Sequence, residues 1–259
     1  MLKLMIIGIG GAMGQSVARA ALADSEITLA AGIDISADTR AECPVFLDPL
    51  EYSGSVDVVI DFSSPKALPP ILRYCTTKKV PLVMATTGHS EEQLALLREL
   101  SQEVPVFITG NLSLGINLLV HLANAAAKVL FPGGKFDAEI LEAHHRRKVD
   151  APSKTALMLR DAVASGYAEV TGEEPQSVYS RESRRIARPA AEIGISSIRG
   201  GTIVGEHEVI FAGTDEVIKL SHSATSRDVF AEGAVRAARF LAGKAPGMYG
   251  MQELLSDIL

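Results

Sequence analysis

The sequence has little cysteine, no long apolar run and no excess of positive charge. Its two cysteines, Cys43 and Cys75, lie far apart and lack metal-site spacing. We interpret them as free thiols in a reducing cytosol, with a single disulfide as the alternative. No apolar run reaches the roughly 20 residues of a membrane helix, and early glycines interrupt any signal-peptide core. We therefore expect a cytoplasmic protein without a membrane span.

The overall negative charge of the chain bears on the kind of partner that the protein binds. The net charge of −6 and the pI of about 5.6 argue against a dominant nucleic-acid or anionic-membrane surface. The 259 residues are 47% hydrophobic, which is enough for a large core in one large or two ordinary domains.

Strand-like and helix-like segments alternate through the first half of the chain. Continuous apolar strands between helices are typical of a parallel sheet that is covered on both faces. This pattern predicts a Rossmann-type doubly wound α/β domain over residues 1–111, completed by residues 226–259. The predicted strands are 3–9, 27–34, 56–62, 80–87 and 104–109.

The second half predicts an α+β domain over residues 112–225 with an open mixed sheet. Short connections predict antiparallel neighbours among its last three strands, and residues 171–190 are predicted to form a long loop. A helix near residues 230–241 is predicted to be the last element. Since ligands bind beyond the carboxyl ends of parallel strands, we expect the active site in a cleft between the domains. The predicted strands are 136–144, 192–198, 203–211 and 216–222, and the predicted helices are the stretch after residue 113 and 153–165.

A glycine-rich loop between the first strand and helix predicts a dinucleotide site. Glycines at 8, 10, 11 and 14 permit a tight turn, and a helix N-terminus attracts a pyrophosphate. Asp34 ends the second strand, where a carboxylate can accept hydrogen bonds from the ribose hydroxyls of a dinucleotide. No basic residue adjoins Asp34, which favours NADH over NADPH, although Arg40 is a candidate partner for a 2′-phosphate. The alternative is a glycine-rich turn that binds nothing.

A short segment of the second half concentrates proton-exchanging groups. His144 and His145 are adjacent, so on a strand they point to opposite sides, and we predict no metal site there. A histidine exchanges protons near neutral pH. Lys148 is suited to neutralising a carboxylate or donating a proton, with a solvated surface lysine as the alternative. Asp150 either orients Lys148 or caps locally.

The following helix start predicts a seat for a carboxylate. Ser153 is suited to capping this helix, and the N–H groups of Lys154 and Thr155 are predicted to bind an anion. The segment 142–155 therefore suits a small dicarboxylate substrate that receives a proton.

The motif Glu-Ala-His-His at 142–145, followed by Lys-Val-Asp-Ala-Pro-Ser at 148–153, resembles the signature of the 4-hydroxy-tetrahydrodipicolinate reductase family. The resemblance extends over nearly the whole chain. It includes the glycine loop, Asp61-Phe62-Ser63, Thr86-Thr87-Gly88, residues 111–115, Arg199-Gly200-Gly201, Val204 to His207 and Ser226-Arg227.

The resemblance implies reduction of 4-hydroxy-tetrahydrodipicolinate by NADH or NADPH, in the diaminopimelate route to lysine. It also implies a homotetramer built through the second domain, which would bind substrate. By resemblance, His144 and Lys148 are catalytic, with the lysine as proton donor. The implied substrate-binding residues are His145, Ser153, Lys154 and Thr155. The implied cofactor-binding residues are Gly8, Ile9, Gly10, Gly11, Ala12, Met13, Asp34, Ala85, Thr86, Thr87, Gly110, Asn111, Leu112, Ser113 and Arg227.

Two departures from the family pattern bear on the site. Lys154 stands where the family has glycine, and we expect this to be tolerated because only the N–H is needed. Ala12 stands where the family commonly has arginine, which again favours NADH. Two rival functions are a dehydrogenase of similar layout, such as aspartate or homoserine dehydrogenase, and a catalytically silent NAD-binding sensor.

Overall fold

The computed structural model describes residues 1–182 and 184–258, which form two compact units. Unit 1 comprises residues 1–114 and 227–259, and unit 2 comprises residues 115–226. The assignment of unit 1 to the cofactor and unit 2 to the substrate stays a prediction. None of the described helices combines the length and apolar character needed to cross a bilayer.

Unit 1 is built on a seven-stranded sheet whose strand pairs are all parallel. Its strands are β1 (Leu2–Ile7), β2 (Ile27–Ile33), β3 (Val45–Phe46), β4 (Val58–Asp61), β5 (Leu82–Met84), β6 (Pro105–Ile108) and β12 (Gly247–Tyr249), in the order β12-β6-β5-β4-β1-β2-β3. Its helices are α1 (Ala12–Leu22), α2 (Leu68–Lys78), α3 (Glu91–Leu100), α6 (Asp228–Leu241) and α7 (Met251–Ser256). Two 3-10 turns cover Pro49–Glu51 and Pro65–Ala67.

Both faces of this sheet are buried. Successive strand residues point to opposite faces, so Leu4 and Ile6 enter the core that contains α1 and α6. Met5 and Ile7 enter the second core, with α2 and α3. The strands are apolar throughout because both of their faces are buried, as the sequence pattern indicated. The prediction of a doubly wound domain is confirmed.

The strand order reverses around β1, which places two loops side by side. β1 pairs with β2 on one side and with β4 on the other. The chain from β1 leads to α1, while the chain from β4 leads to α2. A reversal of this kind opens a crevice at the carboxyl ends of the strands. Gly8 lies in that crevice against the backbone of Phe62.

Unit 2 has a five-stranded mixed sheet covered on one face by helices. Its strands are β7 (Asp137–His144), β8 (Gln176–Val178), β9 (Glu192–Arg199), β10 (Gly205–Ala212) and β11 (Val217–Ala224), in the order β11-β10-β7-β9-β8. The helices are α4 (Leu114–Leu130) and α5 (Lys154–Thr171). Their apolar faces pack on alternate residues of the sheet, such as Ile140, Ile195 and Val209.

The structure corrects three predictions for the chain after residue 170. Strands β9 and β10 are joined by a short turn, but β7 lies between them, so they are not neighbours. The predicted loop 171–190 contains the end of α5 and the short strand β8. The helix at 228–241 is followed by β12 and α7, so it is not the last element. Strands of two or three residues are too short to show a periodicity, which explains why β3, β8 and β12 escaped prediction.

Candidate active site

The register of the unit 2 sheet brings four charged or polar residues to one face. Glu142 and His144 are two residues apart on β7 and therefore point the same way. His207 on β10 lies opposite Glu142, and Arg199 on β9 lies opposite His144. Glu142, His144 and His207 are all buried. Residues distant in sequence thus form one cluster at the end of β7.

The Glu142 carboxylate is the centre of this cluster. Its Oε2 lies 2.5 Å from His144 Nδ1 and accepts a hydrogen bond of 2.9 Å from Arg199 Nη1. Its Oε1 accepts hydrogen bonds of 2.7 Å from Arg199 Nη2 and 3.2 Å from the Ser153 backbone N–H. Arg199 also donates to the Asp150 carbonyl at 2.7 Å. A two-pronged guanidinium contact of this kind fixes the carboxylate plane.

Burial and neighbouring charges set the protonation of the cluster. Burial acts to raise the pKa of Glu142, but hydrogen bonds from Arg199, Ser197 and His144 lower it to about 2. Burial, together with the charges of Lys148 and Arg199, lowers the pKa of His144 against the raising effect of the Glu142 carboxylate. Burial and the charge of His144 lower the pKa of His207 to about 4. At neutral pH the cluster therefore holds a carboxylate beside a neutral His207.

The helix that follows begins where the sequence predicted. The Ser153 Oγ accepts a hydrogen bond of 3.2 Å from the Ala156 N–H, which confirms the predicted cap of α5. This hydroxyl also lies 3.2 Å from His207 Nε2. Lys154 is exposed at the first helical position, and Thr155 is half-buried. A capped helix start presents N–H groups that bind anions, which fits the predicted carboxylate seat.

Lys148 and His145 lie in the loop between β7 and α5. The Lys148 ammonium lies 2.9 Å from Asp150 Oδ1. The sequence left open whether Asp150 orients Lys148 or caps the chain locally, and this contact is the one that the first role requires. The positive charge of Lys148 also acts to lower the pKa of His144, after the larger effect of burial and against the effect of Glu142. His145 is half-buried, and its Nδ1 is buried without a hydrogen-bond partner.

A three-residue cluster with the geometry of a metal site is also present. One ligand atom each from Glu142, His144 and His207 lies within 4.8 Å of the others. The sequence argument overlooked this set, because it considered only the adjacent histidines and found no carboxylate to complete them. The Arg199 guanidinium already occupies both Glu142 oxygens, and its charge disfavours a bound cation. The absence of a metal site therefore stays a prediction.

Three members of the cluster were not assigned a role from the sequence. Glu142, Arg199 and His207 all belong to motifs that carried the family resemblance. The signal that would have found them is the register of β7, β9 and β10, which the strand pattern by itself does not provide.

The glycine-rich loop of unit 1 has the geometry of a dinucleotide site. Gly8 has a φ of +78°, which a side chain rarely adopts. A Cβ on Gly14 would lie 2.1 Å from the Gly8 carbonyl oxygen, so α1 packs directly on the turn. The Asp34 Oδ2 accepts a hydrogen bond of 2.7 Å from the Gly10 N–H. The carboxylate thus stands beside the loop, as predicted from its position in the chain.

Two cavities adjoin the carboxyl ends of the unit 1 strands. The larger, about 540 Å³, lies beside Gly8, Gly11 and Asp34 and is otherwise mostly apolar. The smaller, about 210 Å³, is lined by Ala85, residues 109–112 and two phenylalanines. The larger cavity has the volume and the mostly apolar lining expected of a ligand site.

The remaining predicted cofactor residues fall at the same edge of the sheet. Ile9 is buried, Met13 is half-buried, and Ala12 is exposed at the start of α1. Thr86 is half-buried and its Oγ1 accepts a hydrogen bond of 2.9 Å from the Ser63 N–H, while Thr87 is exposed. Ser113 donates its N–H to Asn111 Oδ1 at 2.8 Å. Arg227 is exposed immediately before α6.

Asp61 is a further buried acid at this edge. It ends β4, and its Oδ1 accepts hydrogen bonds from the Ser63 hydroxyl and, at 3.1 Å, from the Ser63 N–H. Burial raises the pKa of Asp61, against the lowering effect of its hydrogen bonds. The carboxyl therefore holds the turn after β4, which lines the larger cavity through Ser63.

Family comparison covers nearly the whole chain. Residues 2–112 match the family model described as dihydrodipicolinate reductase, N-terminus, and residues 115–255 match its C-terminus. The chain is 48% identical over 255 residues to a protein of Caldanaerobacter subterraneus subsp. tengcongensis named 4-hydroxy-tetrahydrodipicolinate reductase, with 98% of each chain covered. A protein of the same name from Clostridium tetani is 43% identical, with 99% of this chain and 98% of the relative covered.

A solved structure supports the same similarity. Dipicolinate-bound dihydrodipicolinate reductase from Paenisporosarcina sp. TG-14 superposes with a TM-score of 0.79 at 25% identity. The match covers 98% of this chain and 99% of the other.

Proposed function

The chain belongs to the dihydrodipicolinate reductase family, and from this we propose that it reduces 4-hydroxy-tetrahydrodipicolinate to tetrahydrodipicolinate. The reaction consumes NAD(P)H and a proton and releases water, within diaminopimelate and lysine biosynthesis. The observation that carries the proposal is the 48% identity to a reductase of this name over 98% of both chains. A dehydrogenase of other amino or hydroxy acids gives no reason for the cluster around Glu142 and His144.

In the proposed reaction, unit 2 binds the substrate and supplies a proton. The Lys148 ammonium and the His144 imidazole are the proton-transferring groups, with Lys148 as the donor and His144 as donor or relay. His145 and the start of α5, at Ser153 to Thr155, hold the substrate carboxylates. The capped helix start and the unpartnered His145 Nδ1 support these roles. The dipicolinate bound to the Paenisporosarcina relative is a planar dicarboxylate, which agrees with a seat for two carboxylates.

The residues of unit 1 fit a nicotinamide dinucleotide. The turn at Gly8 to Gly14 and the start of α1 would hold the pyrophosphate. Asp34 would accept hydrogen bonds from the ribose hydroxyls. The larger cavity suits the adenosine, and the smaller cavity with residues 85–87 and 110–113 suits the nicotinamide end. When bound, the dinucleotide supplies the hydride.

We further propose that NADH is preferred over NADPH. The described lining of the larger cavity contains Asp34 and neither lysine nor arginine. A 2′-phosphate placed there would face the Asp34 carboxylate without a paired cation. Ile35, which follows Asp34, is 99% exposed, and Ala12 is also exposed, so neither position offers a charge to the ligand.

The activity is tested by following NADH absorbance while the substrate is made in a coupled synthesis. We expect His144→Ala and Lys148→Ala each to lower kcat by about 10²-fold or more, the usual contribution of a proton-transferring group. Arg147→Ala is the matched control, because it removes an exposed cation next to Lys148. Wild-type turnover in both site variants would contradict the proposed roles. A wild-type chain that binds NADH but reduces nothing would instead indicate a silent sensor.

The cofactor proposal is tested by measuring kcat/KM with NADH and with NADPH. We expect the higher value with NADH. Asp34→Asn removes the charge while keeping the shape, so it should narrow the difference between the cofactors. A higher kcat/KM with NADPH in the wild type would contradict the proposal.

Two other expectations stay predictions. The homotetramer is measurable by light scattering, which would report about four times the 27.5 kDa chain mass. The cytoplasmic location requires cell fractionation.

A further inference from the structure

We propose that Glu142 is a positioning residue: clamped by Arg199, its single carboxylate fixes both the tautomer of the His144 imidazole and the start of α5. This inference rests on the proposed function, which assigns proton transfer to His144 and carboxylate binding to the helix start. Glu142 itself is fully buried and contacts no substrate in this scheme.

The carboxylate has two oxygens with separate tasks. One oxygen, Oε2, is shared by His144 Nδ1 at 2.5 Å and Arg199 Nη1 at 2.9 Å. The other, Oε1, is shared by Arg199 Nη2 at 2.7 Å and the Ser153 N–H at 3.2 Å. Because Arg199 contacts both oxygens, the carboxylate cannot rotate without breaking the guanidinium contact.

The contact with Nδ1 determines which ring nitrogen of His144 is free. An ionised carboxylate only accepts hydrogen bonds, so Nδ1 must carry the hydrogen. The low pKa of Glu142 keeps it ionised at neutral pH. Nε2 is then the nitrogen that exchanges the proton. It lies beside Gly205, where a Cβ would come within 3.2 Å of Nε2.

The same carboxylate couples the imidazole to the carboxylate seat. The Ser153 N–H is held by Oε1, and the Ser153 hydroxyl caps α5. Glutamine at position 142 would have one acceptor oxygen and an NH₂ group. Its NH₂ group would face either the Arg199 donors or the Nδ1–H of His144. It cannot keep all four contacts, so either the imidazole or the helix start is released.

The chain offers a matched control in Glu192. This residue is also buried in unit 2, and its carboxylate contacts two guanidiniums: Arg181, and Arg184 at 3.0 Å. It begins β9, whereas Arg199 ends that strand. Replacing Glu192 with glutamine therefore removes another buried, arginine-paired carboxylate of unit 2, at the far end of the strand from His144.

The decisive experiment is ¹⁵N NMR of the histidine rings in the full chain, with His144 assigned by its absence in His144→Gln. We expect the wild type and Glu192→Gln to show His144 with hydrogen on Nδ1. In Glu142→Gln we expect loss of that preference. We also expect a His144 pKa lower by roughly one unit or more, because a negative charge within about 4 Å favours the imidazolium.

The kinetic arm uses the same variants. For Glu142→Gln we expect kcat at least about tenfold lower and a raised KM for the dicarboxylate, because both the imidazole and the seat lose their support. For Glu192→Gln we expect unchanged kcat and KM, even if its melting temperature falls as much as that of Glu142→Gln. Should Glu142→Gln not fold, Arg199→Lys replaces it. Lysine keeps the charge but not the two-pronged contact, so kcat should again fall.

The outcomes separate this inference from the proposed function. Identical His144 tautomer and pKa in Glu142→Gln and wild type would overturn the inference, as would wild-type kcat in Arg199→Lys. If the wild type reduces no dicarboxylate, the proposed function fails, and the NMR arm still decides whether Glu142 positions His144.

Discussion

At the scale of single residues, the chemistry of the site depends on what each side chain faces. Glu142 and His144 share a face because they are two apart on a strand. Gly205 at the start of β10 has no side chain, and His144 Nε2 occupies the nearby space. The imidazole thus has a carboxylate at one nitrogen and the backbone of a glycine near the other.

Gly205→Ala tests this arrangement. Its φ is not in the left-handed region, so the backbone accepts alanine, but the added Cβ would lie 3.2 Å from His144 Nε2. The imidazole must move by a few tenths of an ångström, and we expect kcat to fall up to about tenfold, since small misplacements of a reacting group are costly. Gly200→Ala is the control, because its Cβ would meet nothing within 4 Å. Equal kcat in the two variants would contradict the prediction.

At the scale of elements, α5 shows how a helix end becomes part of a site. Ser153 satisfies the Ala156 N–H, so the first turn of α5 is ordered. Helix α3 in unit 1 has the same kind of start: Ser90 accepts from the Gln93 N–H at 3.3 Å, and the Gln93 side chain reciprocates.

The two serine caps allow a matched comparison. Ser153→Ala and Ser90→Ala should each cost about 1 kcal/mol of unfolding free energy, the usual worth of a cap. We expect only Ser153→Ala to raise the KM for the dicarboxylate, because fraying of α5 disorders the proposed seat. Urea unfolding and steady-state kinetics on both variants check this. A KM increase of the same size in Ser90→Ala would show that the effect is one of general stability.

At the scale of the whole molecule, the buried cluster makes stability depend on pH. The pKa of His207 is about 4 in the fold against an ordinary 6.5. Between these values the unfolded chain binds a proton that the folded chain does not. The free energy of unfolding therefore decreases as the pH is lowered, by up to about 1.4 kcal/mol per pH unit. Glu142, with a folded pKa of about 2 against 4.5, extends the decline below pH 4.5.

His207→Gln should therefore flatten the upper part of this decline, from about pH 6.5 to 4. The free energy of unfolding in urea, measured across that range, checks the slope. His121→Gln is the control, because His121 lies exposed on α4 and we expect it to leave the slope unchanged. An unchanged slope in His207→Gln would mean that another group carries the acid sensitivity.

Local patterns determined the fold class and most elements of this protein. Uninterrupted apolar strands require a sheet buried on both faces, and glycines between a strand and a helix indicate a tight turn, which Gly8 adopts with the Asp34 carboxylate beside it. The Ser153 cap was likewise predictable, because capping depends on residues within one turn.

Only the tertiary structure decided which residues surround His144. Arg199 and His207 are 55 and 63 positions away in sequence (199 − 144 and 207 − 144), and they meet it because β7 lies between β9 and β10. The short turn between β9 and β10 favoured pairing them directly, which would have excluded β7. Strand order depends on how all the apolar faces are buried together, and no local sequence pattern contains that information.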